Sequence, residues 1–248
     1  MRILILGGTA EARQLGERLA ARADLDVTLS LAGRTAKPAV QPVPVRIGGF
    51  GGPQGLADYL VKQRINALID ATHPYAAVIS ANAIEAATAS GVRLLALKRL
   101  PWAPVAGDRW IDVADVPAAV SALGTAAQRV FVALGRKELA PFVEAPQHHY
   151  LVRSVDPVDP PLAVPHATYI TGRGPFGEAD ERALLVAHDV DVLISKNSGG
   201  AATYGKIAAA RALALPVIML RRPEQGVSVP GVETIDAAVA WIDHALAH

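Results

Sequence analysis

The sequence predicts an α/β protein built from two domains, each a parallel sheet flanked by helices. Three observations carry that expectation. The first is the opening, where the apolar run Ile3 to Leu6 meets Gly7-Gly8 and then a stretch with Ala12, Leu15, Gly16 and Leu19 at helical spacing. The second is a rhythm of short apolar runs alternating with helical stretches along the 248 residues, the pattern of parallel strands joined by crossover helices. The third is a break at Lys98-Arg99-Leu100-Pro101-Trp102-Ala103-Pro104, after which a second series begins. The expected division is therefore 1–97 and 98–248, with the option that the last helix packs back on the first domain.

Composition agrees with this class and excludes others. Hydrophobic residues make up 51% and aromatic residues 5%, which suits close-packed helices on a sheet better than an aromatic-rich sandwich. With no cysteine there is no disulfide, thiolate nucleophile or cysteine metal site. The 24 basic and 23 acidic residues give a net charge of +1, so no global field recruits nucleic acid, and anions must be met by local clusters. No apolar run is long enough to cross a bilayer, and the expectation is a soluble cytoplasmic protein, a monomer or small homo-oligomer, without a nucleic-acid or membrane partner.

Strand, glycine turn and helix form a phosphate-binding opening, because the first N–H groups of a helix lack internal partners and carry the positive end of its dipole. Aligned on G-x-G-x-x-G/A, Gly7 takes the first position, Thr9 the second and Ala12 the third. Ala12 is a permitted small residue; Thr9 departs from the pattern, so a hydroxyl or a reshaped loop must serve there. A tight strand-to-helix turn with no ligand is the alternative reading. The second strand, Asp26 to Ala32, ends in Gly33-Arg34-Thr35, where such a fold meets the adenosine ribose. An acid is absent and Arg34 is present, so the site is expected to take a 2′-phosphate, and with it NADPH, unless Arg34 is a solvated turn residue.

Val45 to Ile47 is expected as a short third strand, followed by Gly48-Gly49-Phe50-Gly51-Gly52, a loop able to lie against a flat ligand such as adenine or simply to connect. A helix over Gly55 to Arg64 and a buried strand over Ala67 to Ala71 lead into Thr72-His73-Pro74-Tyr75-Ala76. These residues fall at the carboxyl end of a strand, where open α/β sheets bind ligands. His73 and Tyr75 are candidates for proton donation, and a hydrogen-bonded turn histidine is the alternative. Helices are expected at 77–90, 116–123, 178–188, 202–213 and 235–247, and strands at 93–97, 129–134, 149–153, 168–171, 190–194 and 216–220. His148 and His149 alternate in direction if extended, so they do not share a metal.

The strand ends of the second series carry Arg136, Lys137, Arg153, Arg173, Lys196, Arg221 and Arg222. This concentration suggests a substrate with several carboxylates or phosphates, although scattered surface charge is the alternative. Ser195-Lys196-Asn197-Ser198-Gly199-Gly200 reads as a second anion cradle at a helix start, without the P-loop order.

Four stretches together resemble the precorrin-6A reductases of cobalamin (vitamin B12) biosynthesis. They are Leu4-Ile5-Leu6-Gly7-Gly8-Thr9-Ala10-Glu11-Ala12, Gly48-Gly49-Phe50-Gly51-Gly52, Asp70-Ala71-Thr72-His73-Pro74-Tyr75-Ala76 and Ser195-Lys196-Asn197-Ser198-Gly199-Gly200. Thr9 is normal for that family. The resemblance implies two Rossmann-like parallel-sheet domains with the active site in the cleft between them, and NADPH-dependent reduction of one double bond of precorrin-6A, a polycarboxylate tetrapyrrole, to precorrin-6B. It places the cofactor against Gly7, Gly8, Thr9, Glu11, Gly33, Arg34, Gly49, Phe50, Asp70, Thr72 and His73. Substrate falls to Arg136, Lys137, Arg173, Lys196, Ser198, Gly199 and Gly200. Tyr75, His73, Lys196 and Tyr204 are the candidate proton donors, with no metal. Two other readings stay open: a short-chain-type NADP reductase or epimerase, weakened because neither Tyr75 nor Tyr204 has a lysine four residues on, and a non-catalytic NADP sensor.

Overall fold

The structure is a computed structural model and describes residues 1–33, 35, 38–223 and 229–247. The chain divides into two compact units, Met1–Leu100 with Pro223–His248, and Pro101–Arg222. The turn of ownership falls at residue 100 rather than 97, and the segment after residue 222 returns to the first unit, including more than the last helix alone.

The first unit is a six-stranded, all-parallel sheet: β1 (Arg2–Leu6), β2 (Asp26–Leu31), β3 (Val45–Ile47), β4 (Ala67–Asp70) and β5 (Arg93–Leu97), with β12 (Gly231–Val232) at the edge. Its order, β12-β5-β4-β1-β2-β3, is the doubly wound dinucleotide-binding order. The sixth position is filled by a strand from the far end of the chain. Side chains of β1 alternate between two layers. Ile3 and Ile5 meet Leu15 and Leu19 of α1 (Ala10–Ala20) and Ala238 and Ile242 of α7 (Ile235–Ala247). Leu4 and Leu6 meet Leu56 and Leu60 of α2 (Pro53–Lys62) and Ala83 and Ala86 of α3 (Ala77–Ser90). Both faces are thus covered, which explains a strand that is apolar throughout.

The second unit repeats the arrangement with β6 (Trp110–Val113), β7 (Arg129–Ala133), β8 (His149–Ser154), β9 (Ala167–Thr171), β10 (Val192–Lys196) and β11 (Val217–Leu220), in the order β6-β11-β10-β7-β8-β9 and again all parallel. Its edge strand comes from the start of the unit instead of the end. Helices α4 (Val116–Ala122), α5 (Glu178–Ala187) and α6 (Gly205–Ala212) and two 3-10 turns, Arg136–Glu138 and Ala140–Glu144, make the connections. The sequence expectation missed β6 and β12, which are short and carry only one buried residue between them, Val113. It also began α6 three residues early.

Adjacent His148 and His149 do point apart. The ring of His148 is fully buried with Nδ1 accepting from the Gln128 amide at 3.3 Å, while His149 is exposed and stacked on His166 with centroids 4.3 Å apart. Burial pushes the His148 imidazole below its ordinary pKa. No helix among the described residues is long and apolar enough to cross a membrane.

The glycine of α2 has a steric cause. A Cβ built on Gly55 would lie 1.8 Å from the carbonyl oxygen of Phe50, so the loop before the helix can close onto it only when residue 55 is glycine. Gly55→Ala is expected to destabilise the protein by about 1–3 kcal/mol, the range for forcing extra volume into a filled space. Urea unfolding checks this; an unchanged midpoint would show that the loop does not need that approach.

Candidate active site

The carboxyl ends of β1 and β4 flank the point where the strand order of the first unit reverses, and the opening turn is built there. Gly8 has φ +110, a left-handed value suited to glycine, and a Cβ there would meet no atom within 4 Å, so the turn is open on that side. Gly7 packs under Leu29, with its N–H donating to the Ser30 carbonyl at 2.9 Å. The Thr9 hydroxyl, the departure from the glycine pattern, accepts from the Ala12 amide at 3.1 Å as the cap of α1 and donates to the Ala71 carbonyl at 2.7 Å. One hydroxyl therefore fixes the helix start and ties β1 to β4 across the switch point.

Glu11, in the first turn of α1, is ion-paired with Arg99. The guanidinium offsets a carboxylate that would otherwise repel an anion at the helix start. Asp70 is 3% exposed, and its two oxygens accept from the Thr72 amide (3.1 Å), the Thr72 hydroxyl (2.6 Å) and the Ser80 hydroxyl (2.6 Å), with the Lys98 ammonium 3.2 Å away. Sequence reasoning placed Asp70 against the cofactor. In the structure its carboxylate is the hub that holds Thr72 and the ends of β4 and β5. His73 and Tyr75 follow as half-buried turn residues: the Tyr75 amide donates to His73 Nδ1 at 3.3 Å, and their ring centroids are 5.6 Å apart.

Gly33 lies beyond β2 with φ +71. Arg34 lies outside the described residues. Gly49 and Phe50 sit in the loop after β3, whose carbonyls are held by a residue that sequence reasoning overlooked, Arg46. A Cβ on Gly49 would meet nothing within 4 Å, so this loop is also open on one side. The ends of β1, β2, β3 and β4 thus present two open glycine segments and a capped helix start within one unit. A dinucleotide fits such residues.

In the second unit the equivalent reversal lies between β7 and β10. It brings together the Arg136–Glu138 turn after β7 and the Ser195 to Gly200 turn at the end of β10, and Lys196 Nζ pairs with Glu138 at 2.5 Å. Arg136 and Lys137 are exposed there, Arg136 with its Nη1 on the Pro157 carbonyl at 3.1 Å. Ser198 and Gly199 are buried, and Gly199 and Gly200 both adopt positive φ, +67 and +71. Carbonyl groups of this turn are tied back: Arg222 donates to those of Asn197 and Ser198, each at 2.9 Å, and the Trp102 indole to that of Gly200 at 2.8 Å. The turn does not open a helix, as the sequence suggested, because α6 begins only at Gly205. Arg173 is exposed after β9. Arg153 is a correction to the strand-end cations. Its guanidinium forks onto Glu181 and lies 3.9 Å from the Phe176 ring centroid, in the interior. Tyr204 is engaged by Arg211 Nη2 and belongs to α6's cap.

Residues 2–243 match the sequence profile of the precorrin-6x reductase family, CbiJ/CobK. The chain belongs to that family. A precorrin-6A reductase of Sinorhizobium sp. is 56% identical over 246 residues, covering 99% of this chain and 94% of the relative. One of Rhodobacter capsulatus is 47% identical, covering 98% and 96%. Among solved structures, CobK precorrin-6A reductase superposes with a TM-score of 0.95 at 45% identity, covering 99% of this chain and 97% of that one. The precorrin-6x reductases are oxidoreductases of cobalamin biosynthesis, so the two open glycine segments belong to a reductase, and a nicotinamide cofactor suits them.

Sequence reasoning overlooked Arg46, and it gave Lys98, Arg99, Trp102 and Arg222 no part in shaping the turns, which they hold through Asp70, Glu11, Gly200, Asn197 and Ser198, partners distant in sequence. Arg46 alone had a local signal, since it precedes the glycine loop by two residues.

Proposed function

We propose that the protein reduces precorrin-6A to precorrin-6B with NADPH, adding hydrogen across one carbon–carbon double bond of the macrocycle in the cytoplasm. The observation that carries this reading is the doubly wound first unit with its capped, open glycine turn at the switch point, in a chain of the reductase family. The pyrophosphate would lie on Gly7, Gly8 and Thr9 at the start of α1, with Glu11 neutralised by Arg99. The adenosine would lie along Gly33 and the Gly49-Phe50 loop, with Arg34 on the 2′-phosphate. Thr72 and His73 would meet the nicotinamide half, with Thr72 held in place by Asp70. When bound, NADPH supplies the hydride.

The chain's own groups bind, orient and protonate. Arg136, Lys137, Arg173 and Lys196 offer cations for the acetate and propionate groups of the substrate, and Ser198, Gly199 and Gly200 offer backbone and hydroxyl donors. Metal-free precorrin-6A is the proposed substrate, in line with the names of the relatives at 47% and 56% identity. Tyr75, His73 and Lys196 are the proposed proton donors, each a group able to release a proton at a strand's carboxyl end. The test uses NADPH carrying deuterium at its transferable position. The product is expected to gain two hydrogens by mass, one of them deuterium from the cofactor and the other a proton drawn from solvent. A product without cofactor deuterium would refute the reading.

Lys196 separates substrate from cofactor binding. Lys196→Ala is expected to raise the tetrapyrrole KM or slow turnover by about 10-fold, the loss of roughly one charge-assisted bond, with NADPH affinity unchanged. Steady-state kinetics with a parallel NADPH titration checks this. Loss of NADPH binding alone would assign the turn to the cofactor.

A further inference from the structure

We propose that Arg46 is a positioning residue for the adenosine half of the cofactor, an inference that rests on the NADPH reading above. Arg46 is the middle residue of β3 and points at the loop that follows it. Its Nη1 donates to the Gly48 carbonyl at 2.5 Å and its Nη2 to the Gly49 carbonyl at 2.7 Å, so one planar fork holds two successive peptide groups. Nη1 also lies 3.4 Å from the Ser30 hydroxyl, near the end of β2. The face of the guanidinium covers the Phe50 ring with its carbon 3.7 Å from the centroid, and Phe50 in turn meets Tyr59 of α2 edge-on at 5.3 Å.

This arrangement answers a physical problem in the loop. Gly48, Gly51 and Gly52 adopt φ of +118, +82 and +95, and a segment with four glycines loses more conformational entropy on ordering than any other composition. Left untethered, it would have to be ordered by the ligand, and that cost would be subtracted from affinity. The Arg46 fork and the Phe50 stack order the loop in advance. Because the same guanidinium reaches Ser30, it joins the loop to the strand that leads into Gly33 and Arg34. Arg46 therefore acts through Gly48, Gly49 and Phe50, and its effect is on the shared adenosine part of NADPH and NADH.

The test is Arg46→Met, which keeps an unbranched stem against Phe50 and Tyr59 and removes every donor. The expected result is a 10- to 50-fold rise in the NADPH KM, a similar proportional loss for NADH binding measured by competition, kcat at saturating NADPH within twofold of the parent, and an unchanged Tm. Arg46→Lys, which reaches one carbonyl at a time, is expected to recover only part of the affinity. In the double variant with Phe50→Ala the losses are expected not to add, since both act through one loop. Wild-type affinity in Arg46→Met overturns the inference, as do additive losses or a parallel fall of kcat and Tm. A loss confined to NADPH would make Arg46 a 2′-phosphate ligand and overturn it too. Absence of NADPH binding by the unaltered protein would overturn the cofactor reading itself, and that control distinguishes the two failures.

Discussion

Glu181→Ala is expected to lower the stability of the second unit by about 3–5 kcal/mol, the cost of leaving one charge of a buried pair uncompensated. The side chains of Arg153 and Glu181 are 9% and 3% exposed, and both guanidinium nitrogens at the fork's tip bond the carboxylate. Around them lie Phe131 and Phe176, whose ring centroids are 4.9 and 3.9 Å from the guanidinium carbon. Aromatic faces attract a cation but cannot replace a carboxylate, so Arg153 would be left without its anionic partner in the variant. The pair joins β8 to α5, and its removal strikes both. In thermal unfolding the expected shift is a fall in Tm of roughly 10 °C, scaled to a chain of this size. Replacing both residues by apolar ones, Arg153→Met with Glu181→Leu, is expected to recover most of the loss, because a buried ion pair is a weak net stabiliser relative to well-packed hydrophobic side chains. A Glu181→Ala protein with parental Tm would show that Arg153 can turn to solvent. Substrate KM after the double replacement is expected to stay near the parental value, which separates Arg153 from the exposed cations of the same sheet.

Arg34→Ala is expected to weaken NADPH by about 1.5–3 kcal/mol, or 10- to 150-fold, with little effect on NADH. The argument is one of position and charge. In the doubly wound order, the turn after β2 faces the adenosine ribose, and a cation there forks onto a 2′-phosphate where an acid would accept from a 2′-hydroxyl. The first unit has that strand order, and β2 ends at Leu31, three residues before Arg34. Equilibrium titration of both cofactors checks it, and equal losses for NADPH and NADH would refute the 2′-phosphate role. The contrast with Arg46→Met, where both cofactors suffer, gives the two arginines distinguishable signatures.

Regular elements were legible where sequence and environment agree. β1 and β4 are buried on both faces and read as unbroken apolar runs, and α3 was bounded by Ala77 and Ser90 with Gly91 in a left-handed cap. Edge strands were not legible: β6 exposes Ile111 and Asp112, and β12 has two residues, so neither carries a run to recognise. The return of the chain's end to the first unit was foreseen only as an option for the last helix. Ala238 and Ile242 form an apolar stripe, but the surface it covers is made largely by α1 and by strands of the first sheet, far earlier in the chain.

The candidate site divides in the same way. Glycines and cations announced themselves by type and by their place after strands. Partners did not, because Thr9 meets Ala71, Asp70 meets Lys98 and Ser80, and Arg153 meets Glu181 only once the sheets assemble. Hence Arg153 was read as a strand-end cation from its charge, when folding directs that charge to Glu181, and the protein partners of Asp70 had no signal in the sequence. Thr9, a fault against the glycine pattern, became intelligible as a hydroxyl with two bonds to make.

The central claim is tested most directly by following NADPH absorbance after the protein is mixed with precorrin-6A, with NADH in parallel. The expected result is oxidation of NADPH that depends on the tetrapyrrole, with NADH left largely intact. Binding of NADPH without oxidation in the presence of precorrin-6A would contradict the account and return the chain to the sensor reading.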